Sequence, residues 1–400
     1  MKCKVSDKKI TPFMTFGKMP MANGFLEPHE FNKEFFYELE VGFSEENFLF
    51  QVNDHPKSNK IFNNKYPFYT HKSKYMVNHF NEYFNWIKKN YITSNSKILE
   101  IGSNDGTFLK NFKNENIEHL GFEPSKNVAD LSKKKNNVNV INEFFNFQNA
   151  SNLKAFKNKT DVICAANVIC HIPNLVDLIK GVDALLSKEG IFVFEEPYLG
   201  SMLNKISYDQ IYDAHVYMFS ALSVQKIFTE FDFELIDLLP QITHGGSMRY
   251  VIARKNKKKI SNKVNSIIKE EISKGMNNIS AFKKFKRECE LSRVNFKKKI
   301  IKYKNLGKKI CGYAATAKSS TVLNYCKIGK ELIDFIVDST DEKVGKFSPG
   351  MHIPIKAIKD FKTYKPDVGI LFAWNHKKEI LEKEKEYTQN GGVWISHVED

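Results

Sequence analysis

Five short segments concentrate residues that can bind a charged ligand or move a proton. Lys97–Gly106 reads KILEIGSNDG, a short apolar run that closes on Glu100, Gly102, Asn104, Asp105 and Gly106. Glycine in such a turn lets the backbone approach a ligand that a β-carbon would hold off. Leu120–Ser125 (LGFEPS) is a second apolar run, ending on Glu123. A carboxylate about twenty residues after the turn can accept hydrogen bonds from both hydroxyls of a ribose. Tyr208–Tyr217 (YDQIYDAHVY) is dense in proton-handling groups, and His215 within it carries the side chain whose ordinary pKa lies nearest neutrality. His244–Arg249 (HGGSMR) brackets a glycine turn with a histidine and the first arginine of the chain. Ala314–Ser320 (AATAKSS) sets Lys318 and Ser319 at a strand-to-helix turn, which suits either phosphate at a helix N-terminus or a plain tight turn.

The elements that must position these groups follow from periodicity. Lys97–Ile101, Leu120–Phe122, Val138–Ile141, Thr160–Ala166 and Gly190–Glu195 read as strands separated by helices, among them Leu175–Leu186. Such alternation predicts a doubly wound parallel sheet with ligands beyond the carboxyl ends of its strands. Asn167, His171, Glu196 and Tyr198 fall at those ends, on the crevice of Asp105 and Glu123. Phe233–Leu239 and Tyr250–Ala253 complete the sheet. Ahead of it, Phe16–Leu26 reads as a turn, Phe36–Val41 with Phe48–Val52 as a hairpin, and Ser73–Asn90 as a helix with Met76, Phe80, Phe84 and Ile87 on one face. After it come two lysine-rich amphipathic helices. A second α/β unit follows, with strands at Lys309–Tyr313, Leu332–Asp338 and Val368–Ala373. The boundaries expected are 1–72, 73–255, 256–308 and 309–400.

Composition narrows the function classes. The net charge of +15 invites a nucleic-acid reading, but arginine occurs only at Arg249, Arg254, Arg287 and Arg293. Base and phosphate readers favour the bidentate guanidinium, so lysine spread along the whole chain predicts weak polyanion attraction and no specific nucleic-acid partner. Six cysteines without a CxxC pair are neither a disulfide framework nor a zinc site. No apolar stretch is long enough to span a bilayer, so no membrane insertion and a cytoplasmic location are expected.

The glycine spacing is not the dinucleotide fingerprint GxGxxG. It resembles the ExGxNDGxxL form of class I methyltransferases, which bind S-adenosyl-L-methionine. That resemblance assigns the cofactor to Glu100, Gly102, Asn104, Asp105, Gly106, Glu123 and Asn167. Further motifs, EEPYLG…YDQIYDAHVYMFS, HGGSMR, GYAATAKSSTVLNY, VDSTDEKVGKFSPGMHIPI and WNHKKEI, follow in the order found in the sugar C-methyltransferases. The chain resembles that family over nearly its whole length. The resemblance implies an α/β architecture: a class I methyltransferase Rossmann-like domain, a small N-terminal zinc-module-like domain and a second, C-terminal Rossmann-like domain. It implies a nucleotide-linked deoxy-keto sugar as substrate and methylation of a carbon beside the ketone. His215 would be the general base, with Tyr212 beside it. Substrate contacts are expected from Lys72, Glu196, Tyr198, His244, Arg249, Lys318, Ser319 and Asn324.

Three positions depart from the family pattern. Of the paired cysteines only Cys3 survives, which predicts no metal and an N-terminal module held by apolar packing. Ala214 stands where the family has glutamate before the base. Lys72 stands where a substrate-facing tyrosine is usual. The last two leave O- or N-methylation of a related sugar as the alternative to C-methylation.

Overall fold

Short β-branched and aromatic runs alternate with amphipathic helices through the middle of the chain. In the computed structural model, which describes residues 1–64 and 66–398, they build a seven-stranded sheet. Its order is Phe233–Gln241, Ser247–Arg254, Leu186–Pro197, Thr160–Ala166, Lys97–Ile101, Glu118–Phe122, Val140–Ile141. The last five run parallel, as the alternation predicts. Ser247–Arg254 runs antiparallel to both neighbours, a correction to the wholly parallel sheet. Only residues 242–246 join it to the preceding strand, too short a connection for a parallel crossover. A parallel sheet needs cover on both faces. The helix Lys74–Tyr91 supplies one side with Met76, Phe80, Tyr83, Phe84 and Ile87, and Leu175–Leu185 supplies the other with Leu175, Leu178, Ile179 and Val182.

The N-terminal strands Pro12–Pro20, Phe36–Ser44 and Leu49–Val52 form an antiparallel sheet. Its fourth strand is Tyr217–Met218, the chain immediately after His215, pairing through Phe50 and Met218. The turn expected over Phe16–Leu26 is corrected. Gly17, at φ +74° with open space where a Cβ would be, lies beside a register shift that bends the strand, and the strand continues to Pro20. Phe13, Phe43 and Phe50 pack around Phe282 from the connecting helix Ile279–Asn305. Amides add to this packing. Asn47 Nδ2 donates to Cys3 Sγ at 3.3 Å, Gln51 Nε2 to the Lys2 carbonyl at 2.8 Å, and Lys4 N to Gln51 Oε1 at 2.9 Å.

The C-terminal sheet is wholly parallel, in the order Ile355–Ala357, Phe335–Asp338, Ile310–Tyr313, Val368–Leu371, Val393–Ile395. Its first crossover helix, Ala317–Cys326, is buried along its whole length between the other modules. No helix among the described residues is long and apolar enough to cross a membrane.

Candidate active site

The turn after Lys97–Ile101 is built from left-handed residues. Gly102 sits at φ +68°, and a Cβ there would lie 2.4 Å from the Val168 side chain. Asn104 also has positive φ. Its Oδ1 accepts from Thr70 N at 2.9 Å and from Thr70 Oγ1 at 3.0 Å. Asp105 is fully buried. Its Oδ1 accepts from Thr107 Oγ1 at 2.6 Å, and its Oδ2 faces His71 N at 2.9 Å and His71 Nδ1 at 2.6 Å. The loop Tyr69–Lys72 is therefore pinned on the turn, with Asp105 as its anchor. Glu123 accepts from Asn104 N at 3.1 Å through Oε2 and from Ser125 N at 2.7 Å through Oε1. Burial pushes its pKa upward against those two donors.

Buried acceptors left without a partner in this crevice include Glu100 Oε2 and Asn167 Oδ1. Burial, with Asp105 and Glu123 nearby, pushes the Glu100 carboxyl well above its usual range. Unpaired acceptors at this depth are costly unless a ligand donor meets them. The ammonium and sulfonium of S-adenosylmethionine are cationic, and its ribose carries two hydroxyl donors, so these residues fit that molecule.

Across the crevice lies the proton-handling segment. His215 is 5% exposed, with Nδ1 on the Gln210 carbonyl at 2.7 Å and Nε2 2.6 Å from the Tyr212 hydroxyl. A carbonyl can only accept, so Nδ1 carries the proton, Nε2 carries the lone pair and Tyr212 donates to it. Burial, then the neighbouring His171, holds the His215 pKa well below its ordinary value. His171 is arranged in the same way, Nδ1 facing the Ala214 carbonyl at 2.7 Å, and burial lowers it to about 4. Asp213 clamps the segment. Its Oδ2 accepts from Ala22 N at 3.1 Å and its Oδ1 from Ala214 N at 2.8 Å, and burial lifts its pKa to about 6. The C-terminal helix completes the grip, with Thr321 Oγ1 on the Ile211 carbonyl at 3.1 Å and Ser320 Oγ on the Ala22 carbonyl at 2.7 Å. All three modules meet on Tyr208–His215.

Several residues expected to touch substrate are engaged elsewhere. Arg249 is buried against Glu195, its Nε 2.6 Å from Oε1, with its guanidinium 3.8 Å from the Tyr83 ring centroid. His79 holds the other oxygen of Glu195 at 2.6 Å. The Tyr198 hydroxyl turns away to Glu271 at 2.7 Å. Ser319 is spent in a reciprocal capping box with Thr316. Asn324 Nδ2 binds the Ser320 and Pro349 carbonyls at 2.8 and 3.0 Å and so fixes the loop around Gly350. Glu196 Oε1 caps Val168 N and Ile169 N, while its Oε2 is unpartnered and burial raises its pKa to about 7. Lys72 lies on the rim, paired with Glu342 of the C-terminal module at 3.3 Å. His244 and Lys318 remain at the seam, the His244 carbonyl 3.5 Å from Lys318 Nζ, and burial holds the His244 ring at about 3. The sequence reading missed His71, Asp213 and Gln210. The last acts through its carbonyl, which no side-chain pattern reveals.

Cys170, His171 and His215 present donor atoms within 4.8 Å of one another. Both nitrogens of His215 are already engaged, by Tyr212 and Gln210, so the cluster is organised to handle a proton. In the N-terminal module Cys3 is the sole cysteine and its sulfur is bound by Asn47. That donor set does not fit tetrahedral zinc.

Comparison with known proteins matches residues 3–62 to a putative zinc binding domain, 75–238 to a methyltransferase domain and 242–398 to the C-methyltransferase C-terminal domain. The C-methyltransferase NovU of Streptomyces niveus is 29% identical over 305 residues, covering 76% of this chain and 72% of NovU. Together these matches run from residue 3 to residue 398, and over that length the chain is similar to C-methyltransferases. It is an S-adenosylmethionine-dependent methyltransferase, and its similarity to C-methyltransferases favours carbon over the O- or N-methylation left open by Ala214 and Lys72. Among solved structures, the PH0226 protein of Pyrococcus horikoshii aligns with 15% identity and a TM-score of 0.39, over 50% of this chain and all of that one. The magnesium protoporphyrin IX methyltransferase of Synechocystis with bound SAH aligns at 12% identity and a TM-score of 0.36, over 45% of this chain and 83% of that one.

Proposed function

We propose that this C-methyltransferase acts on a nucleotide-linked keto sugar through an enolate formed by His215. The observation that carries the proposal is the fixed tautomer of His215: Nδ1 on the Gln210 carbonyl at 2.7 Å, Nε2 on the Tyr212 hydroxyl at 2.6 Å. A buried neutral imidazole with its lone pair held in one direction is a base ready at neutral pH. S-adenosylmethionine, when bound, supplies an electrophilic methyl group. Glu100 and Asn167 supply the unpaired acceptors for its cationic end, and Glu123 for its ribose.

Carbon is a poor nucleophile until a neighbouring carbonyl lets it shed a proton, so the enzyme needs a base and an oxyanion partner on one substrate. In the free enzyme the Tyr212 hydroxyl donates to Nε2. Nε2 has one lone pair, so that hydroxyl must turn to another acceptor as substrate binds, which frees Nε2 to take the proton from carbon. Asp213, Ser320 and Thr321 keep the segment from shifting as charge moves. The resemblance to sugar C-methyltransferases supports the nucleotide sugar. So does the C-terminal sheet, where Asp338 ends the second strand with Oδ2 on Ala315 N at 2.8 Å and Oδ1 on Thr340 N at 2.8 Å.

The test is mass spectrometry and NMR on a panel of nucleotide 4-keto and reduced sugars incubated with enzyme and S-adenosylmethionine. A new carbon–carbon methyl beside the ketone is expected. A methyl found only on oxygen or nitrogen, or transfer to no sugar, overturns the proposal.

A further inference from the structure

The seam between the central and C-terminal modules holds a buried ammonium with no counter-ion in contact. Lys318 lies in the first turn of the helix Ala317–Cys326 and is 8% exposed. Its Nζ reaches the His244 carbonyl at 3.5 Å and Asn375 Oδ1 at 3.4 Å, with the Trp374 ring centroid 5.0 Å away. Charge-assisted hydrogen bonds are ordinarily about 2.7–2.9 Å long. Among the described residues no carboxylate pairs with this ammonium at ion-pair distance. The nearby Asp209 is engaged by Trp374 Nε1 at 2.7 Å and His397 at 3.2 Å. An ammonium has three donors, and only these two long contacts draw on them, so this one has capacity in reserve.

Its surroundings locate that capacity. Thr321 and Ser320, one turn along the same helix, bind the Ile211 and Ala22 carbonyls, so the turn carrying Lys318 is docked on the segment that holds His215. Trp374, over which Lys318 lies, donates to Asp209, the residue before Gln210. A phosphate at this helix start would call on the hydroxyls of Thr316 and Ser319, but those are locked to each other, Ser319 N on Thr316 Oγ1 at 3.1 Å and Thr316 N on Ser319 Oγ at 3.0 Å. What remains is a single desolvated cation, which suits one oxygen that becomes charged only during reaction.

We infer that Lys318 is the donor that stabilises the enolate oxygen formed when His215 deprotonates the neighbouring carbon. This role rests on the enolate reading above. His215 Nε2 takes the proton, the carbon–hydrogen pair becomes the enolate double bond, and the carbonyl π pair moves to oxygen. Lys318 donates a hydrogen bond to that oxygen and keeps its own proton. When the carbon takes the methyl group the pair returns and the ketone re-forms, and His215 later releases its proton to water.

The experiment compares wild type with Lys318→Met and Lys318→Arg, each checked by circular dichroism and S-adenosylhomocysteine affinity. A nucleotide 4-keto sugar is incubated at saturation in heavy water without S-adenosylmethionine, and deuterium entry beside the ketone is followed by mass spectrometry. Lys318→Met is expected to slow exchange and methylation together, by roughly 10²–10³-fold. Lys318→Arg, which keeps a donor, should recover part of both. Exchange by Lys318→Met at the wild-type rate, with only KM raised, would overturn this role and return Lys318 to phosphate binding. Trapping of a Lys318–sugar adduct by borohydride would overturn it as well, since the amine would then be a nucleophile. Absence of exchange in the wild type would instead overturn the enolate reading and this role with it.

Discussion

Arg249→Met removes the guanidinium from a buried cluster and should unfold the central sheet more easily without touching the chemistry. Arg249 Nε lies 2.6 Å from Glu195 Oε1, and the guanidinium stacks 3.8 Å from the Tyr83 centroid and 4.7 Å from that of Trp86. Once it is gone, the buried carboxylate keeps only His79, at 2.6 Å. Breaking a buried pair by removing one partner costs about 3–5 kcal/mol. The lost cation–π contact and the apolar packing of the new methionine partly offset one another, so that figure stands as the net. At roughly 2–4 °C per kcal/mol, the melting temperature falls by about 6–20 °C. Adding Glu195→Gln removes the orphaned charge and should restore most of the loss. Burial alone would raise the Glu195 pKa, but His79 and Arg249 bring it below the usual value. Its contribution is therefore present above the unfolded carboxylate pKa of about 4.3 and is lost as pH falls through the lower folded value, so the gap between wild type and variant narrows in acid. The assay is thermal unfolding by circular dichroism at pH 7 and pH 4, with KM for the sugar measured alongside. A variant that melts within about 2 °C of wild type and loses sugar affinity would refute this reasoning and make Arg249 a substrate contact.

Other perturbations separate the parts of the site. Glu100→Gln should weaken S-adenosylmethionine binding by roughly tenfold or more, the loss of a charge-assisted bond. Because burial pushes the Glu100 pKa upward in the free enzyme and a cationic ligand beside it would pull it back down, wild-type binding should release more protons than the variant's, seen by calorimetry in buffers of different ionisation enthalpy; equal affinity and equal release would contradict the assignment. Gly102→Ala puts a methyl 2.4 Å from Val168 at φ +68° and should abolish cofactor binding in equilibrium dialysis while the C-terminal module stays folded. The His215 ring should remain neutral, protonated at Nδ1, as pH falls through 6.5, where an ordinary histidine titrates; nitrogen-15 shifts that report an imidazolium at pH 6 would contradict its burial. Strong chelators should leave the melting temperature unchanged, whereas a drop of several degrees would reveal a metal that Cys3 alone does not explain.

The central sheet was legible because its strands are short apolar runs punctuated by glycine and separated by helical periodicity. Thr160–Ala166 has the bounds its composition suggests. The turn after Lys97–Ile101 was legible for the same reason, since its glycines and carboxylates are local in sequence. What escaped was everything set by contacts between distant segments. Tyr217–Met218 is too short to announce itself as a strand and exists because Phe50 offers an edge. Arg249 follows a glycine turn as a ligand-binding residue would, yet alternation on Ser247–Arg254 turns it toward Glu195 and the helix Lys74–Tyr91. The hydroxyl of Ser319 fits a phosphate site on paper, and only the capping geometry reveals that it is spent. The clamp on His215 runs through the carbonyl of Gln210 and the backbone of Ala22, which carry no side-chain signature.

In the proposed reaction His215 makes a carbanion equivalent before methyl transfer. The most direct measurement is deuterium incorporation into an unreacted nucleotide 4-keto sugar in heavy water, wild type against His215→Asn, with S-adenosylhomocysteine in place of the methyl donor. Enzyme-dependent exchange is expected at the carbon beside the ketone, lost in the variant while S-adenosylhomocysteine still binds. Methyl transfer without any such exchange in the wild type, or exchange that survives His215→Asn, would contradict it.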